Sequence, residues 1–310
     1  MTAVGSSVPL NSDQVRRFVL EQHPIRGHVV RLGRAWLELR EHQDYPPVVQ
    51  QLLGEAVGAV VLLAATLKFN GTLTLQLQGK GLVNLLVAQC THDFKVRAMA
   101  RHEPLVQIEG GDAAGFRSLA GDGQIIVTVE ATDRASSYQG VVPIAGDSLA
   151  ESLETYFHQS EQLPSRVVLA ASPGAVAGML VQRIPTEGGK QAPVDPAALE
   201  AAWMKTDHAM VAMTREQLLG DDVEQRLVHM FGADEVRVFK EHPVKFECRC
   251  SRERVANVLR SLGAEEVRSV IAEQGAVTVT CEFCQKPYKF DPIDVEHLFG
   301  GGIEGTKTIN

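Results

Sequence analysis

Apolar and polar residues alternate most cleanly at 72–78, where Leu73, Leu75 and Leu77 interleave with Thr72, Thr74, Gln76 and Gln78. A period of two is the mark of a strand with one face buried. Gly79-Lys80-Gly81 then turns the chain into a second apolar run, Leu82–Ala88, and the two runs read as a hairpin. Further strands are predicted at Phe94–Arg101, Gln124–Ala131, Tyr138–Ile144, Arg166–Ala171 and Gly178–Ile184. Gly121-Asp122-Gly123 also precedes a strand, so it reads as a hairpin turn and not as a phosphate loop.

The helical period emerges after Pro46-Pro47. Val48, Val49, Leu52, Leu53, Ala56, Val57, Val60 and Val61 recur at i, i+3 and i+4, and proline suits a first helical turn. Two shorter helices are predicted. Asp13 caps one carrying Val15, Phe18 and Val19; Asp147 caps one carrying Leu149, Leu153, Tyr156 and Phe157. Residues 1–190 therefore predict one α+β domain, with a mixed, largely antiparallel sheet and helices.

Thr186–Val194 is polar and broken by glycine and proline. Asp195-Pro196 then starts a helical linker, placed at 191–234, with an interruption near Gly220 and an end near Phe231. It is rich in alanine and methionine: Ala197, Ala198, Ala201, Ala202, Met204, Met210, Met213 and Met230. Such a face either docks on the first domain or repacks against varied partners. A small third domain is placed at 235–299. Ser251 caps a helix with Val255, Val258, Leu259 and Leu262 on one side. Glu265 and Glu266 begin the next helix, Gly275 ends it, and Val277–Cys281 is a strand. The tail, Gly300–Asn310, reads as disordered.

Composition narrows the function. Of 310 residues, 45% are hydrophobic, ample for a globular core, and only 5% are aromatic, so aliphatic side chains must fill it. The formal net charge of −8, with no long basic run, argues against nucleic acid as a partner. The first residues show no charged stretch leading into an apolar one, and the longest apolar run, Val57–Leu67, is too short to span a bilayer. The protein is expected to be soluble and cytoplasmic, with no membrane partner. In a reducing compartment, paired cysteines favour metal or redox chemistry over permanent disulfides.

Four of the five cysteines form two close pairs, Cys248-Arg249-Cys250 and Cys281-Glu282-Phe283-Cys284. Together they supply the four thiolates of a tetrahedral zinc site. The C-x-C pair puts two sulfurs on one side of an extended strand, from which they reach one metal or close a short disulfide. A site that holds zinc when reduced and forms labile disulfides when oxidised reads as a switch; the alternative is a permanent structural zinc. Lys245, Arg249, Arg252, Arg254 and Lys286 lie near in sequence and could offset the charge of four thiolates. Structural zinc contributes about 10–16 kcal/mol of apparent binding free energy. A domain this small gains only about 3–5 kcal/mol from its core. The metal term dominates, so this domain is expected to fold with zinc and unfold without it.

Other candidates carry less. Cys90 ends an apolar strand and reads as a packing residue. His242 could replace one thiol but is not needed. Asp221-Asp222 and Glu265-Glu266 read as helix starts, and no arrangement of Ser, His, Cys and Asp proposes a nucleophile.

The segment Phe246-Glu-Cys-Arg-Cys-Ser-Arg-Glu-Arg254, with Cys281-Glu-Phe-Cys284 and Tyr288, resembles the redox-regulated 33-kilodalton heat-shock chaperone family. The likeness extends to Asp44-Tyr-Pro46, Ala65-Thr-Leu-Lys-Phe69, Gln76-Leu-Gln-Gly79, Tyr138-Gln-Gly-Val-Val142 and Tyr156-Phe-His-Gln-Ser-Glu-Gln-Leu-Pro164, and spans residues 13 to 299. It implies a reduced, inactive monomer with one zinc on Cys248, Cys250, Cys281 and Cys284. It also implies an oxidised, zinc-free homodimer with Cys248–Cys250 and Cys281–Cys284 disulfides, which holds unfolding client proteins and is not an enzyme. One departure is visible: Gln285 stands where zinc knuckles commonly place a glycine with φ > 0. The competing functions are a zinc-ribbon protein binding nucleic acid or the ribosome, and an enzyme with a structural zinc module.

Overall fold

The structure, a computed structural model, describes residues 13–104, 115–132, 137–185, 195–220, 223–232 and 236–300. The polar break at 186–194, Asp221-Asp222 and the tail from 301 lie outside the described residues. The chain divides into two compact units, Met1–Glu247 and Cys248–Asn310.

The first unit opens with β1 (Gln14–Leu20) and β2 (Ile25–Leu32), then α1 (Arg34–Arg40) and α2 (Pro47–Thr66). β3 (Gly71–Gly79), β4 (Val83–Thr91), β5 (Lys95–His102), α3 (Phe116–Ala120), β6 (Gly123–Ala131) and β7 (Tyr138–Pro143) follow. After α4 (Leu149–Tyr156) and a π-helical turn, Phe157–Glu161, come β8 (Ser165–Ala171) and β9 (Val176–Arg183). The unit ends with α5 (Pro196–Val211), α6 (Arg215–Leu219), α7 (Val223–Phe231), β10 (Val236–Val238), β11 (His242–Pro243) and β12 (Lys245–Phe246).

These strands make two six-stranded sheets. One runs β10-β1-β2-β9-β8, with β11 also on β1; the other runs β12-β5-β4-β3-β6-β7. Every described pairing is antiparallel except β12 on β5. α2 lies between the sheets, against β2, β8 and β9 on one side and β3, β4 and β5 on the other. A helix with apolar residues all round is a buried one. Among the described residues α2 is the one helix long and apolar enough by composition to cross a membrane, and 72% of its apolar window is buried in the protein.

Four expectations need correction. Residues 14–20 form a strand and not a helix, because β1 alternates between two cores: Val15 enters the one around α2, Phe18 and Leu20 the one on the opposite sheet face. Asp13 caps a different helix: its carboxylate accepts from the Gly33 and Ala35 amides at 2.6 and 3.1 Å, at the start of α1. The cap of α4 is Ser148, which accepts from the Glu151 amide at 3.1 Å, and not Asp147. Gly121–Gly123 leads from α3 into β6 and joins no hairpin, whereas Gly79–Gly81 does. β2 escaped the sequence pattern because it is buried on both faces and so does not alternate.

Residues 236–246, expected with the metal domain, instead add strands to both sheets of the first unit, and Cys248 begins the second. Runs of two or three residues carry no readable period. The linker helices dock: Leu199, Met210, Leu218, Leu227 and Phe231 pack on Phe18, Ile25, Val29, Met179 and Val181. Arg166 joins α4 to α5 through Glu154, at 2.7 Å, and Asp207. Met204 stays exposed.

Gly27 in β2 sits opposite Phe18 of β1. An added Cβ would stand 2.2 Å from the Phe18 ring and 2.9 Å from the Leu180 carbonyl oxygen, so only glycine leaves that ring its place against the strand.

The second unit holds α8 (Arg252–Leu262), α9 (Ala264–Gln274), β13 (Val277–Thr280), β14 (Pro287–Phe290) and α10 (Pro292–Gly300). Ser251 caps α8 and left-handed Gly275 ends α9, as their residue types predict. Val255, Ala256, Leu259, Val267, Val277, Tyr288, Phe290 and Val295 form its core, while Val258 and Leu262, expected on that face, point outward.

Candidate metal centre

The hairpin β13–β14 and the segment before α8 build the site. Val277–Thr280 pairs antiparallel with Pro287–Phe290, and the turn between them carries Cys281 and Cys284. Within the turn, the Cys281 amide donates to the Lys286 carbonyl at 3.0 Å and the Gln285 amide to the Cys281 carbonyl at 2.8 Å. Cys248 and Cys250 precede Ser251, the cap of α8. Cys250 and Cys281 rest against the core of the unit.

These pieces bring the four sulfurs within 4.8 Å of one another, the only such cysteine cluster among the described residues. Cys248 Sγ lies 3.7 Å from Cys281 Sγ, and Cys250 Sγ 3.5 Å from Cys284 Sγ. Four thiolates about 2.3 Å from a tetrahedral ion stand about 3.8 Å apart. The donor set fits a soft divalent metal in ligand count, ligand type and spacing. These two sulfur contacts join the two segments across the cluster.

Ionisation within the cluster is uneven. Burial raises the Cys250 thiol, but the Tyr288 hydroxyl, which donates to its sulfur at 3.0 Å, and the neighbouring thiols bring it down to about 7. Burial pushes Cys248 and Cys284 up; at Cys284 the neighbouring Cys250 and Cys248 sulfurs add to the shift, whereas at Cys248 the Cys250 backbone and the Cys284 sulfur oppose it. Tyr288 is itself held above its usual range by that bond to Cys250. One thiolate is thus stabilised and a second is opposed by the first, so four thiolates require a cation and loading one expels protons.

The basic residues expected to balance the cluster are largely engaged elsewhere. Arg252 pairs with Asp294 at 2.7 Å and lies over the Phe290 ring at 4.2 Å, Arg254 donates to the Arg249 carbonyl, and Lys286 lies over Tyr288. Lys245 belongs to β12. His242 is in β11, its ring 5.5 Å from that of Phe94, and takes no part in the cluster. Cys90 is fully buried in β4 and burial holds its thiol protonated. Tyr288 is the site residue that pattern reading left without a role; its period-two relation to Phe290 shows why it faces inward.

Gln285 adopts φ +55°, so the knuckle takes its usual left-handed turn without glycine. A non-glycine residue there costs about 1–2 kcal/mol. Gln285→Gly is expected to stabilise the metal-loaded unit by about 1 kcal/mol at unchanged metal stoichiometry. A loss of stability on chemical denaturation would count against a strained knuckle.

The relatives of the chain match nearly its whole length. The family model described as Hsp33 protein matches residues 13–291. A 33 kDa chaperonin of Methylobacillus flagellatus is 39% identical over 289 residues, 93% of this chain and 94% of that one. Another, of Pseudomonas paraeruginosa, is 40% identical over 297 residues, 95% of this chain and 97% of that one. The crystal structure of a 33 kDa chaperonin (heat shock protein 33 homolog) from Thermotoga maritima superposes with a TM-score of 0.77 at 23% identity, covering 93% of this chain and 98% of that one. With a family match that takes in the fold and all four clustered cysteines, the chain belongs to the Hsp33 chaperone family.

Proposed function

We propose that the protein is a redox-regulated holdase and not an enzyme: a reduced, inactive monomer with one Zn2+ on Cys248, Cys250, Cys281 and Cys284, and an oxidised, metal-free homodimer that retains unfolding proteins. The observation that carries this reading is the gathering of four thiols, in zinc-sized spacing, by a unit whose own core is only eight buried apolar residues. Zn2+ bound there neutralises thiolates that burial would otherwise keep protonated.

Each disulfide forms as two thiols surrender two protons and two electrons, which one hydrogen peroxide takes up to become two waters. Two such steps remove all four ligands. In the folded cluster every pairing is within reach. Once the unit opens, short loops close fastest, which favours Cys248–Cys250 and Cys281–Cys284 and leaves Cys90 reduced. Losing the ligands melts the unit. The linker helices, docked by a few apolar side chains, are then free to meet the apolar segments of non-native clients. Such thiol chemistry suits the reducing cytoplasm, with neither nucleic acid nor membrane as partner.

Peroxide with mild heat is expected to release one zinc per chain and to switch on suppression of client aggregation together. Peptide mapping without reductant should find the two sequence-neighbour disulfides. Zinc release without aggregation suppression would sink the chaperone reading; Cys248 bonded mainly to Cys281 or Cys284 would sink the pairing.

A further inference from the structure

Both sheets of the first unit have one edge closed by the same short stretch, residues 236–247, which ends at the residue before Cys248. β10 pairs Val236, Arg237 and Val238 with Leu20, Val19 and Phe18, and β11 pairs His242 and Pro243 with Val15 and Gln14. The Phe239 amide donates to the Arg17 carbonyl at 2.8 Å and the Val244 amide to the Asp13 carbonyl at 2.9 Å. The strap thus covers β1 from end to end. On β5 it covers only the start, where the Lys245 and Glu247 amides donate to Phe94 and Val96 at 3.1 Å. Further along β5, the side chains of Gln43 and Tyr45 take the Ala98 carbonyl at 3.1 Å and the Ala100 amide at 3.0 Å. Those caps belong to the loop between α1 and α2 and stay if the strap leaves. β1 has no such second cover among the described residues, and its opposite side is held by a seven-residue ladder to β2.

From this arrangement we infer that β1 is a strand-docking edge, occupied here by the protein's own strap and, in the activated protein, by an extended segment of a non-native client. The inference rests on the chaperone reading above. An open edge presents a row of backbone donors and acceptors that any extended chain can pair with, whatever its sequence, and pockets for alternate side chains add preference. The strap displays the guest this edge accepts. Val236 and Val238 pack into the core beside Phe18 and Leu20. Phe239 lies between the Arg17 and Arg237 guanidinium groups, 5.1 and 5.2 Å away, and Glu241 pairs with Arg16 at 3.3 Å. The preferred guest runs antiparallel to β1, with β-branched or aliphatic residues two apart, then an aromatic and an acidic residue. Unfolding proteins expose such segments, whereas folded ones pair them internally.

Amide exchange on the full-length protein tests this, read residue by residue at Arg17 and Val19. The register turns their backbone toward the strap, while that of Arg16 and Phe18 turns toward β2. In the reduced, zinc-loaded protein all four amides should be protected. After peroxide activation Arg17 and Val19 should exchange freely, and a reduced, permanently unfolded client protein should slow them again by about tenfold or more. Arg16 and Phe18 serve as the internal reference. A synthetic peptide with the sequence of residues 236–243 should reproduce the slowing and lower client retention; its scrambled form should do neither. Client retained with Arg17 and Val19 still exchanging freely would overturn the docking edge and leave the holdase reading standing. Protection at those amides in the activated protein without client would overturn it in favour of a second copy, or the strap itself, on the edge. Failure of the activated protein to retain client at all would bring down the holdase reading and this inference with it.

Discussion

Cys281→Ser should lose its metal to a modest chelator and leave residues 248–300 unfolded, while the core of the first unit around α2 stays folded. The argument is one of competing magnitudes. Structural zinc contributes about 10–16 kcal/mol of apparent binding free energy. The core of the second unit, eight buried apolar residues among those described, including Tyr288 and Phe290, supplies about 3–5 kcal/mol. A serine hydroxyl is a poor ligand for a soft site, and three thiolates with mutual repulsion hold the ion far less well. The first unit has its own core around α2 and no ligand in the cluster, so it loses nothing directly. Metal analysis of the purified variant, with hydrogen exchange, reads both halves of the expectation. Protection should collapse across α8, α9 and the β13–β14 hairpin, fall in the linker helices, and persist at Thr72–Gln78. Metal retention in Cys281→Ser as strong as in the unchanged protein would remove Cys281 from the site. Intact protection after verified metal loss would mean that the cluster does not control the fold of its unit.

Gly27→Val should do the reverse, destabilising the first unit by about 3 kcal/mol or more and leaving the metal in place. The valine would force the fully buried Phe18 ring off β2, and that ring is the centre of the core that seats the linker helices. Its nearest backbone neighbour, the Leu180 carbonyl in β9, lies in the middle of the sheet and cannot yield without breaking the β2–β9 ladder. For a unit of this size, 3 kcal/mol corresponds to a fall of about 6–12 °C in Tm. Thermal unfolding with zinc in excess is the measurement, since saturating metal keeps the second unit folded. A Tm within about 2 °C of the parent would show that the ring has a second berth.

Much of this molecule is legible in its sequence. The period-two runs at 72–78 and 124–131, the proline-opened helix at 47 and the Ser251 and Gly275 signals lie in segments long enough, or capped clearly enough, for local preference and tertiary role to coincide. The four thiols were legible for a different reason: two close cysteine pairs supply the ligand count and type of one four-sulfur metal site whatever fold carries them.

What the chain alone left undecided depended on what lay opposite each residue. β1 was misread as a helix because a strand with a different core on each face shows no simple period; its two faces are set by α2 and by the linker helices. β2, buried between two strands, shows no alternation to read. Asp13 caps no helix in its own segment; its carboxylate accepts from Gly33 and Ala35, at the start of a helix on the far side of a strand hairpin. The strap was invisible because strands of two or three residues exist only where an edge is waiting for them. The cluster followed the same rule: thiol count and type lay in the sequence, whereas the cross-segment sulfur contacts and the Tyr288 hydroxyl on Cys250 came from how one hairpin folds against one helix start. Short-range preference is written residue by residue; edges, opposing faces and cross-segment contacts arise only once distant segments meet.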